Sequence, residues 1–306
     1  MIDKEPEGMT AIVVTYNRIG LLKNCIASLL AQTVPLKRII IVDNASSDGT
    51  EAMLSKNQDP RILYVRLTQN TGGAGGFSTG IQRAIDLYDS WLWLMDDDAV
   101  PHSNAAEQLV KIAQDQGNIY GSLAICGSDT SWETTLLDQN RVVTMARDIP
   151  QVARVRFIPF LGFLIHRELV NKIGLPDAGY FIAADDVEYC IRAHLAGAQI
   201  ILSGKSHIEH PKTQQRTLYF LGIKLTYLSL SPWKRYYDTR NRLLIAKQYY
   251  GIHLFTKAIP GTMLRLAIAL ITEPNKLYQL RAFFAGFVDG LRGRKGKRHA
   301  KWGIDI

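Results

Sequence analysis

Trp91-Leu92-Trp93-Leu94-Met95-Asp96-Asp97-Asp98-Ala99 runs five apolar residues straight into three consecutive carboxylates. The apolar run predicts a buried strand, so the acidic cluster falls where that strand ends. Adjacent carboxylates repel and are costly unless a cation neutralises them. Hard divalent cations favour such oxygen ligands and bridge them to phosphates. A solvated acidic turn would look the same in isolation, so the neighbouring segments must decide.

Thr10 to Thr15 and Arg38 to Asp43 are β-branched runs that predict two more strands, with Ile62 to Leu67 another. Leu21 to Leu30 has helical spacing, apolar at 21, 22, 25, 26, 29 and 30. Ser46-Ser47-Asp48-Gly49-Thr50 offers turn and N-cap chemistry for a helix. A further helix is expected over Phe77–Leu87. Strands spaced by helices argue for an α/β fold with a mostly parallel sheet. Ligands on such sheets bind at the carboxyl ends of strands. Thr15-Tyr16-Asn17, Asp43-Asn44 and Asp96-Asp97-Asp98 should therefore converge in one cleft. Residues 119–165 read as mixed strands and loops, with Phe160 to His166 a strand. Asp185 to Ala196 reads as a helix and Gln199 to Leu202 as a strand. From about 216 onward, apolar-basic helical patterns are expected. The tail Arg292-Gly293-Arg294-Lys295-Gly296-Lys297-Arg298 is low in complexity and is expected to be mobile.

The net charge of +8 over 306 residues hides an asymmetry. Residues 1–210 carry 18 Lys/Arg against 24 Asp/Glu, and residues 211–306 carry 18 against 4, balances of −6 and +14. The basic C-terminal part suggests an anionic partner surface. No stacking platform or recognition motif accompanies the charge, so nucleic acid is set aside in favour of phospholipid. Residues 255–291 predict two helices, for example around Met263–Ile271 and Leu280–Phe284. Their apolar faces suit a lipid interface and their basic residues anionic head groups. Packing on the core and contact with a second copy are the alternatives. No secretory signal pattern opens the sequence, and no charge-free apolar run approaches a membrane span. Cys25, Cys126 and Cys190 form no metal or redox pattern, which points to a reducing cytosol.

Four more segments carry chemistry. Asp43 at a strand end can accept a hydrogen bond from a base imide or a ribose hydroxyl, and Arg18 near a helix start can meet phosphate. Asn70-Thr71-Gly72-Gly73-Ala74-Gly75-Gly76-Phe77 reads as a glycine-rich loop allowing close backbone approach ahead of a helix with free N–H groups. In Gly179 to Tyr189, Asp185, Asp186 and Glu188 stand at a helix start. Carboxylates there cap the helix, or take a proton from an attacking hydroxyl. His207-Ile208-Glu209-His210-Pro211 supplies imidazoles that suit Mn²⁺.

In this order, the segments resemble the family 2 glycosyltransferases, which have the GT-A fold, and most of all the bacterial galactofuranosyltransferases with their rhamnosyltransferase relatives. The resemblance covers about residues 10–245. It implies that Asp96 and Asp98 flank a Mn²⁺ or Mg²⁺ against the donor diphosphate, while Asp97 supports the loop or the ribose. It implies a nucleotide site from Thr15, Tyr16, Asn17, Arg18 and Asp43, with Asn70, Gly72, Gly73 and Arg83 lining the donor pocket. Asp186 falls at the base position. Asp185, in place of the more usual Glu, and Glu188 would contact acceptor hydroxyls. His210 matches the spacing of a third metal ligand better than His207. Tyr236-Tyr237-Asp238-Thr239-Arg240-Asn241 resembles a YxxRN segment whose Arg240 or Asn241 reaches the diphosphate, unless it is simply a basic helix face. Gln214-Gln215-Arg216-Thr217 does not supply the QxxRW motif of processive members.

The expectation is thus a GT-A catalytic domain over 1–215 and a basic helical region over 216–306. The implied enzyme is inverting and metal-dependent. It moves galactofuranose from its UDP donor to a hydroxyl of a glycan or lipid-linked acceptor, in the cytoplasm at the inner face of the plasma membrane. A dTDP-rhamnose enzyme and a catalytically silent nucleotide- or glycan-binding module are the alternatives.

Overall fold

The computed structural model describes residues 8–212, 215–220 and 223–304; Gln214 and residues 1–7 lie outside them. The chain divides into two compact units. One comprises the residues up to Ala178 together with Asp186–Lys212, and the other Gly179–Asp185 together with Thr213–Ile306.

The first unit is an α/β sandwich. In chain order it contains β1 (Met9–Thr15), α1 (Ile19–Leu30), β2 (Arg38–Asp43), α2 (Thr50–Leu54), β3 (Ile62–Arg66), α3 (Gly72–Asp86), β4 (Trp91–Asp96), β5 (Val100–Pro101) and α4 (Ala105–Val110). There follow β6 (Ile119–Cys126), β7 (Asp129–Leu136), β8 (Arg141–Met145), β9 (Val152–Arg154), β10 (Phe163–His166), α5 (Arg167–Ile173), α6 (Asp185–Leu195, of which Asp186 onward belongs to this unit) and β11 (Ile200–Glu209). The sheet runs β3-β2-β1-β4-β10-β6-β11-β5. β1 to β4 are parallel, and β10 enters antiparallel between β4 and β6. The central strands are buried on both faces, which is why they appear in the sequence as unbroken apolar runs. One core layer gathers Ile12, Val14, Ile40, Val42, Leu92 and Leu94; the other gathers Ala11, Val13, Ile39, Ile41, Trp93 and Met95. Alternate side chains of each strand thus feed opposite faces.

The glycine-rich segment corrects the sequence reading. It is not a loop before a helix at Phe77; it is the first turn of α3, which begins at Gly72. A Cβ on Gly76 would come within 2.5 Å of Val14 Cγ1, and one on Gly80 within 2.4 Å of Ile12 Cγ2. The missing side chains let α3 lie close on β1. Phe77 is buried against Phe160, their ring centres 4.7 Å apart.

The second unit opens with a hairpin of β12 (Gln215–Phe220) and β13 (Ile223–Leu228), where helix was expected. Among the described residues three α-helices follow: α7 (Pro232–Tyr249), α8 (Ile259–Thr272) and α9 (Lys276–Leu291). Gly286 and Gly290 on α9 bring its backbone against α7, where a Cβ would meet Tyr236 O at 2.4 Å and Arg240 O at 2.9 Å. The basic tail is tied down rather than loose. Arg298 Nε and Trp302 Nε1 donate to Asp289 Oδ2 at 3.0 and 2.9 Å, and Tyr236 OH donates to the same oxygen at 2.7 Å. With the π-helical segment Leu254–Ala258, α8 forms a helix over Leu254–Thr272, long and apolar enough by composition to cross a membrane, although it includes Lys257 and Arg265.

Candidate active site

The register of the sheet places Thr15 beside Asp43 and Val14 beside Asp96, so the carboxyl ends of β1, β2 and β4 share one edge. Thr15 Oγ1 donates to Asp97 Oδ2 at 2.7 Å. Arg18 Nη1 lies 3.3 Å from Asp97 Oδ1 and 3.0 Å from Asp98 Oδ2. Burial pushes the Asp97 carboxyl up, against the opposing pull of the Thr15 hydroxyl and the Arg18 charge. Asp97 is thus the inward member of the triplet, and Asp96 is exposed at the strand end.

His210, just beyond β11, brings Nε2 to 3.7 Å from Asp98 Oδ1. That Asp98 oxygen and His210 Nδ1 are both buried without a hydrogen-bond partner among the described residues. Burial lowers the imidazole's pKa, so its neutral, lone-pair-bearing form is favoured. An unsatisfied carboxylate oxygen facing a neutral imidazole is a donor set that fits a divalent cation. Among the described residues, however, no three His, Cys, Asp or Glu side chains stand together as a ready-made metal cluster. Asp98 and His210 are brought together, while Asp96 completes no trio with them. His207 turns away, its Nε2 at 2.9 Å from Gly204 O.

On the nucleotide side, several expected ligands hold the scaffold. Asn17 adopts a left-handed φ of 53°, and its Oδ1 accepts the Ser47 N–H at 2.7 Å. Asp43 has no exposed surface; it accepts from Ser46 N, Tyr64 OH and Arg66. That corrects the reading of Asp43 as an open acceptor for base or ribose. Asn70 Oδ1 accepts the Gly72 N–H at 2.8 Å, shaping the start of α3. Tyr16 is exposed beside Asn17 and remains accessible to a ligand. Gly73 opens on free space, since an added Cβ would meet nothing within 4 Å. Arg83 is also corrected. It lies in the last turn of α3, eleven residues beyond Gly72, hence about 16 Å along the helix from the end that faces the cleft.

Two residues not singled out as site residues hold this edge. Asn44 Oδ1 accepts from Thr71 N and Oγ1, both at 3.0 Å, and its Nδ2 donates to Gly72 O. Asp48 receives Ile19 N–H at 2.8 Å, capping α1, and Thr50 Oγ1 at 2.6 Å, at the start of α2. The Asn-Ala-Ser-Ser-Asp-Gly-Thr string carried the signal, since Asn and Asp in a glycine-containing turn habitually bind backbone.

At the start of α6, Asp186 is half-buried. Desolvation raises its pKa to about 6, against a 2.7 Å hydrogen bond from Val187 N. Asp185 is buried beside it. Glu188 departs from expectation: it is 2% exposed and held by Arg192 through contacts of 2.8 to 3.0 Å. That ion pair turns it from an acceptor ligand into a brace on the helix.

Within the second unit, Arg240 and Asn241 grip the segment 179–183. Arg240 has no exposed surface, and its nitrogens donate to the carbonyls of Gly179, Tyr180 and Gly296 and to Asn241 Oδ1. Asn241 Nδ2 reaches the carbonyls of Tyr180, Ile182 and Ala183 at 3.1, 2.7 and 2.7 Å. These bonds hold Phe181, Ala183 and Ala184 at φ of 66°, 66° and 61°, a conformation unfavourable for residues with a Cβ. Arg240 is therefore a clamp on main chain and not the expected diphosphate ligand, since each of its guanidinium nitrogens is already bonded and none is exposed.

A family model described as Glycosyl transferase family 2 matches residues 10–174, more than half of the chain. The chain belongs to this family and is a glycosyltransferase. Galactofuranosyltransferase GlfT1 of Mycolicibacterium smegmatis is 26% identical over 287 residues, 90% of this chain and 93% of that protein. The dTDP-rhamnosyl transferase RfbF of Shigella flexneri is 20% identical over 293 residues, 94% of this chain and 96% of that one. Among solved structures, GalNAc-T7 with UDP, GalNAc and Mn²⁺ superposes with a TM-score of 0.64 at 16% identity, covering 95% of this chain and 57% of the other. The mannosyltransferase PcManGT from Pyrobaculum calidifontis, in complex with GDP-Man and Mn²⁺, gives 0.57 at 16% identity, covering 94% and 88%. At that identity the likenesses bear on fold: a central sheet flanked by helices with a C-terminal helical region, the GT-A architecture.

Proposed function

We propose that this enzyme transfers galactofuranose from a UDP donor, with inversion, to a hydroxyl of a glycan or lipid-linked acceptor. The observation that carries the reading is the facing pair Asp98–His210 at the carboxyl edge, beside Arg18 and the exposed Tyr16. Asp98 and His210 would hold a Mn²⁺ or Mg²⁺, with Asp96 at the rim. When bound, such a cation offsets the charge that builds on a departing nucleoside diphosphate. Arg18, now paired with Asp97 and Asp98, would turn to phosphate. Asp97, anchored by Thr15, keeps the acidic loop in place. Gly73 leaves room for the donor at the start of α3.

Asp186 acts as the base. It takes the proton of the acceptor hydroxyl as that oxygen attacks the anomeric carbon and the nucleotide leaves from the opposite face. Its raised pKa suits the task, since a base titrating near neutrality binds the proton more strongly than an ordinary surface carboxylate. The galactofuranose assignment leans on the mycobacterial-type relative, which spans almost the whole of both chains. The rhamnosyl relative spans as much at lower identity and makes a dTDP-rhamnose donor the second reading. A silent binding module has no use for an unsatisfied Asp98 oxygen, a neutral His210 and a desolvated Asp186 together. The basic helical region suits work at the inner face of the plasma membrane.

The test is turnover with UDP-galactofuranose, UDP-galactopyranose and dTDP-rhamnose against a panel of lipid-linked acceptors. Preference for UDP-galactofuranose is expected. Preference for dTDP-rhamnose would replace the donor assignment and leave the metal and base roles standing.

A further inference from the structure

The second unit contains a cavity of about 310 Å³ between α7, α8 and the end of β13. Three arginines line it against one carboxylate, Asp238. Arg235 is 3% exposed, with Nε at 3.2 Å from Gln279 Oε1. Arg242 gives its Nε to Asp238 Oδ1 at 2.8 Å, which neutralises that carboxylate locally; its terminal nitrogens make no hydrogen bond among the described residues. Arg265 is exposed to solvent and has neither a hydrogen bond nor an ion pair among the described residues. The buried Glu273 acts on Arg235 from nearby, so the region still carries one more positive charge than negative. Guanidinium groups crowded this way repel one another until an anion joins them, and their planar forks match phosphate oxygens.

The same cavity has an apolar side formed by Leu228, Leu230, Leu264 and Ile268. Leu264 and its helix neighbours Met263 and Ile271 are exposed. Only 28% of the apolar window of the Leu254–Thr272 helix is buried. Cationic nitrogens therefore stand directly beside uncovered hydrocarbon. A free inorganic anion uses the first and leaves the second in water.

We propose that this cavity binds a phosphate group carried at the head of an apolar chain, with Arg242 and Arg265 on the phosphate and Leu264 and Ile268 along the chain. The inference rests on the second unit alone and stands or falls apart from the donor and acceptor assigned above.

The test measures binding of the full-length protein to vesicles of phosphatidylcholine containing phosphatidic acid. Vesicles containing phosphatidylserine, matched in surface charge, provide the comparison. The protein is expected to prefer phosphatidic acid. R265Q and R242Q should each lose that preference, weakening phosphatidic acid binding about tenfold, as expected for a lost charge-assisted hydrogen bond. R265K should retain part of it. R292Q, which removes an exposed charge outside the cavity, should weaken both vesicles alike. Circular dichroism checks that each variant is folded, and two independent variants guard against one that is not. Equal binding to the two vesicle types, or an unchanged preference in both R265Q and R242Q, overturns the proposal in favour of diffuse surface charge. Millimolar inorganic phosphate or pyrophosphate is the other arm. If either saturates the cavity as tightly as the vesicles do, the apolar chain contributes nothing and the lipid-borne ligand is refuted.

Discussion

Arg18 holds Asp98 at 3.0 Å by its guanidinium, from the helix start that follows β1. One cation of the protein's own thus sits where the acidic triplet most needs one. The opposite oxygen of Asp98 faces His210 and has no hydrogen-bond partner among the described residues. The carboxylate is shared between an internal counter-charge and the side that faces His210. A divalent ion drawn to that side must share Asp98 with Arg18.

The first prediction follows. Arg18→Ala should bind Mn²⁺ about two- to fivefold more tightly than wild type, the range expected for removing a competing, partly exposed ion pair. Isothermal titration without nucleotide reads this directly. Asp98→Ala should remove Mn²⁺ binding, and with it any metal dependence of UDP affinity. Weaker Mn²⁺ binding by Arg18→Ala would place the guanidinium outside the competition, and UDP affinity indifferent to chelator in wild type would sink the metal assignment.

The strands and the acidic edge were legible because burial leaves a strong imprint. Ile39-Ile40-Ile41-Val42 and Leu92-Trp93-Leu94-Met95 have no other comfortable place than a sheet covered on both faces. The start of α3 was hidden because four glycines in five positions lower helix propensity, and their reason is tertiary. Gly76 and Gly80 exist to let a neighbour in, which no local pattern reveals. Residues 215–228 misled for the opposite reason. Their apolar-basic composition is that of the helices after them, while Thr217, Tyr219, Ile223, Thr226 and Tyr227 are strand formers whose pairing across the hairpin decides. The roles of Arg240 and Glu188 depend on which carbonyls and cations surround them. Those partners lie far away in sequence for Arg240, and for Glu188 a single turn away at Arg192, a pair the spacing alone made readable.

The second prediction concerns α3. Gly80→Ala should lower stability by about 1–3 kcal/mol, the usual range for an added methyl group in a packed contact. The wedge would be against Ile12 at the sheet face, so urea midpoints should fall while UDP affinity is kept. Gly75→Val carries a different expectation. Its side chain would drive into Thr71, where a Cβ already meets Oγ1 at 2.4 Å, and Thr71 is bonded to Asn44. Donor affinity should therefore fall together with stability. A Gly75→Val protein that loses neither would show that Thr71 moves aside freely.

The third prediction concerns the clamp. Asn241→Ala takes the side-chain donor from the carbonyls of Ile182 and Ala183, while Tyr180 O keeps Arg240, and so loosens the hold on the left-handed backbone of Phe181, Ala183 and Ala184. Stability should fall by about 1–2 kcal/mol, given roughly 1 kcal/mol for each of the two part-buried carbonyls that lose this donor. Hydrogen exchange should report faster opening of residues 179–184 than of α9. Uniform loosening of the whole unit, or no loss at all, would contradict a local clamp.

The last prediction joins the base to pH. Asp186→Asn keeps the shape and removes the proton acceptor, so turnover should fall at least about 10²-fold while donor affinity is nearly unchanged. In wild type, the base works only when ionised, and desolvation raises its pKa to about 6. The acid limb of kcat/KM should then rise with pH through about 6 and level off above it, and that limb should vanish in the residual activity of Asp186→Asn. The same shift has a signed consequence for stability. A carboxyl whose folded pKa lies above its unfolded value of about 3.9 binds its proton more tightly when folded. Its stabilising contribution is complete below about pH 4 and is lost as pH rises through about 6. Asp186→Asn, neutral throughout, should therefore melt higher than wild type at pH 8 and lose that advantage at pH 4. Two outcomes separate the roles of this residue. A destabilised Asp186→Asn protein would mean that Asp186 serves α6 as a cap, and near-normal turnover would move the base to Asp185.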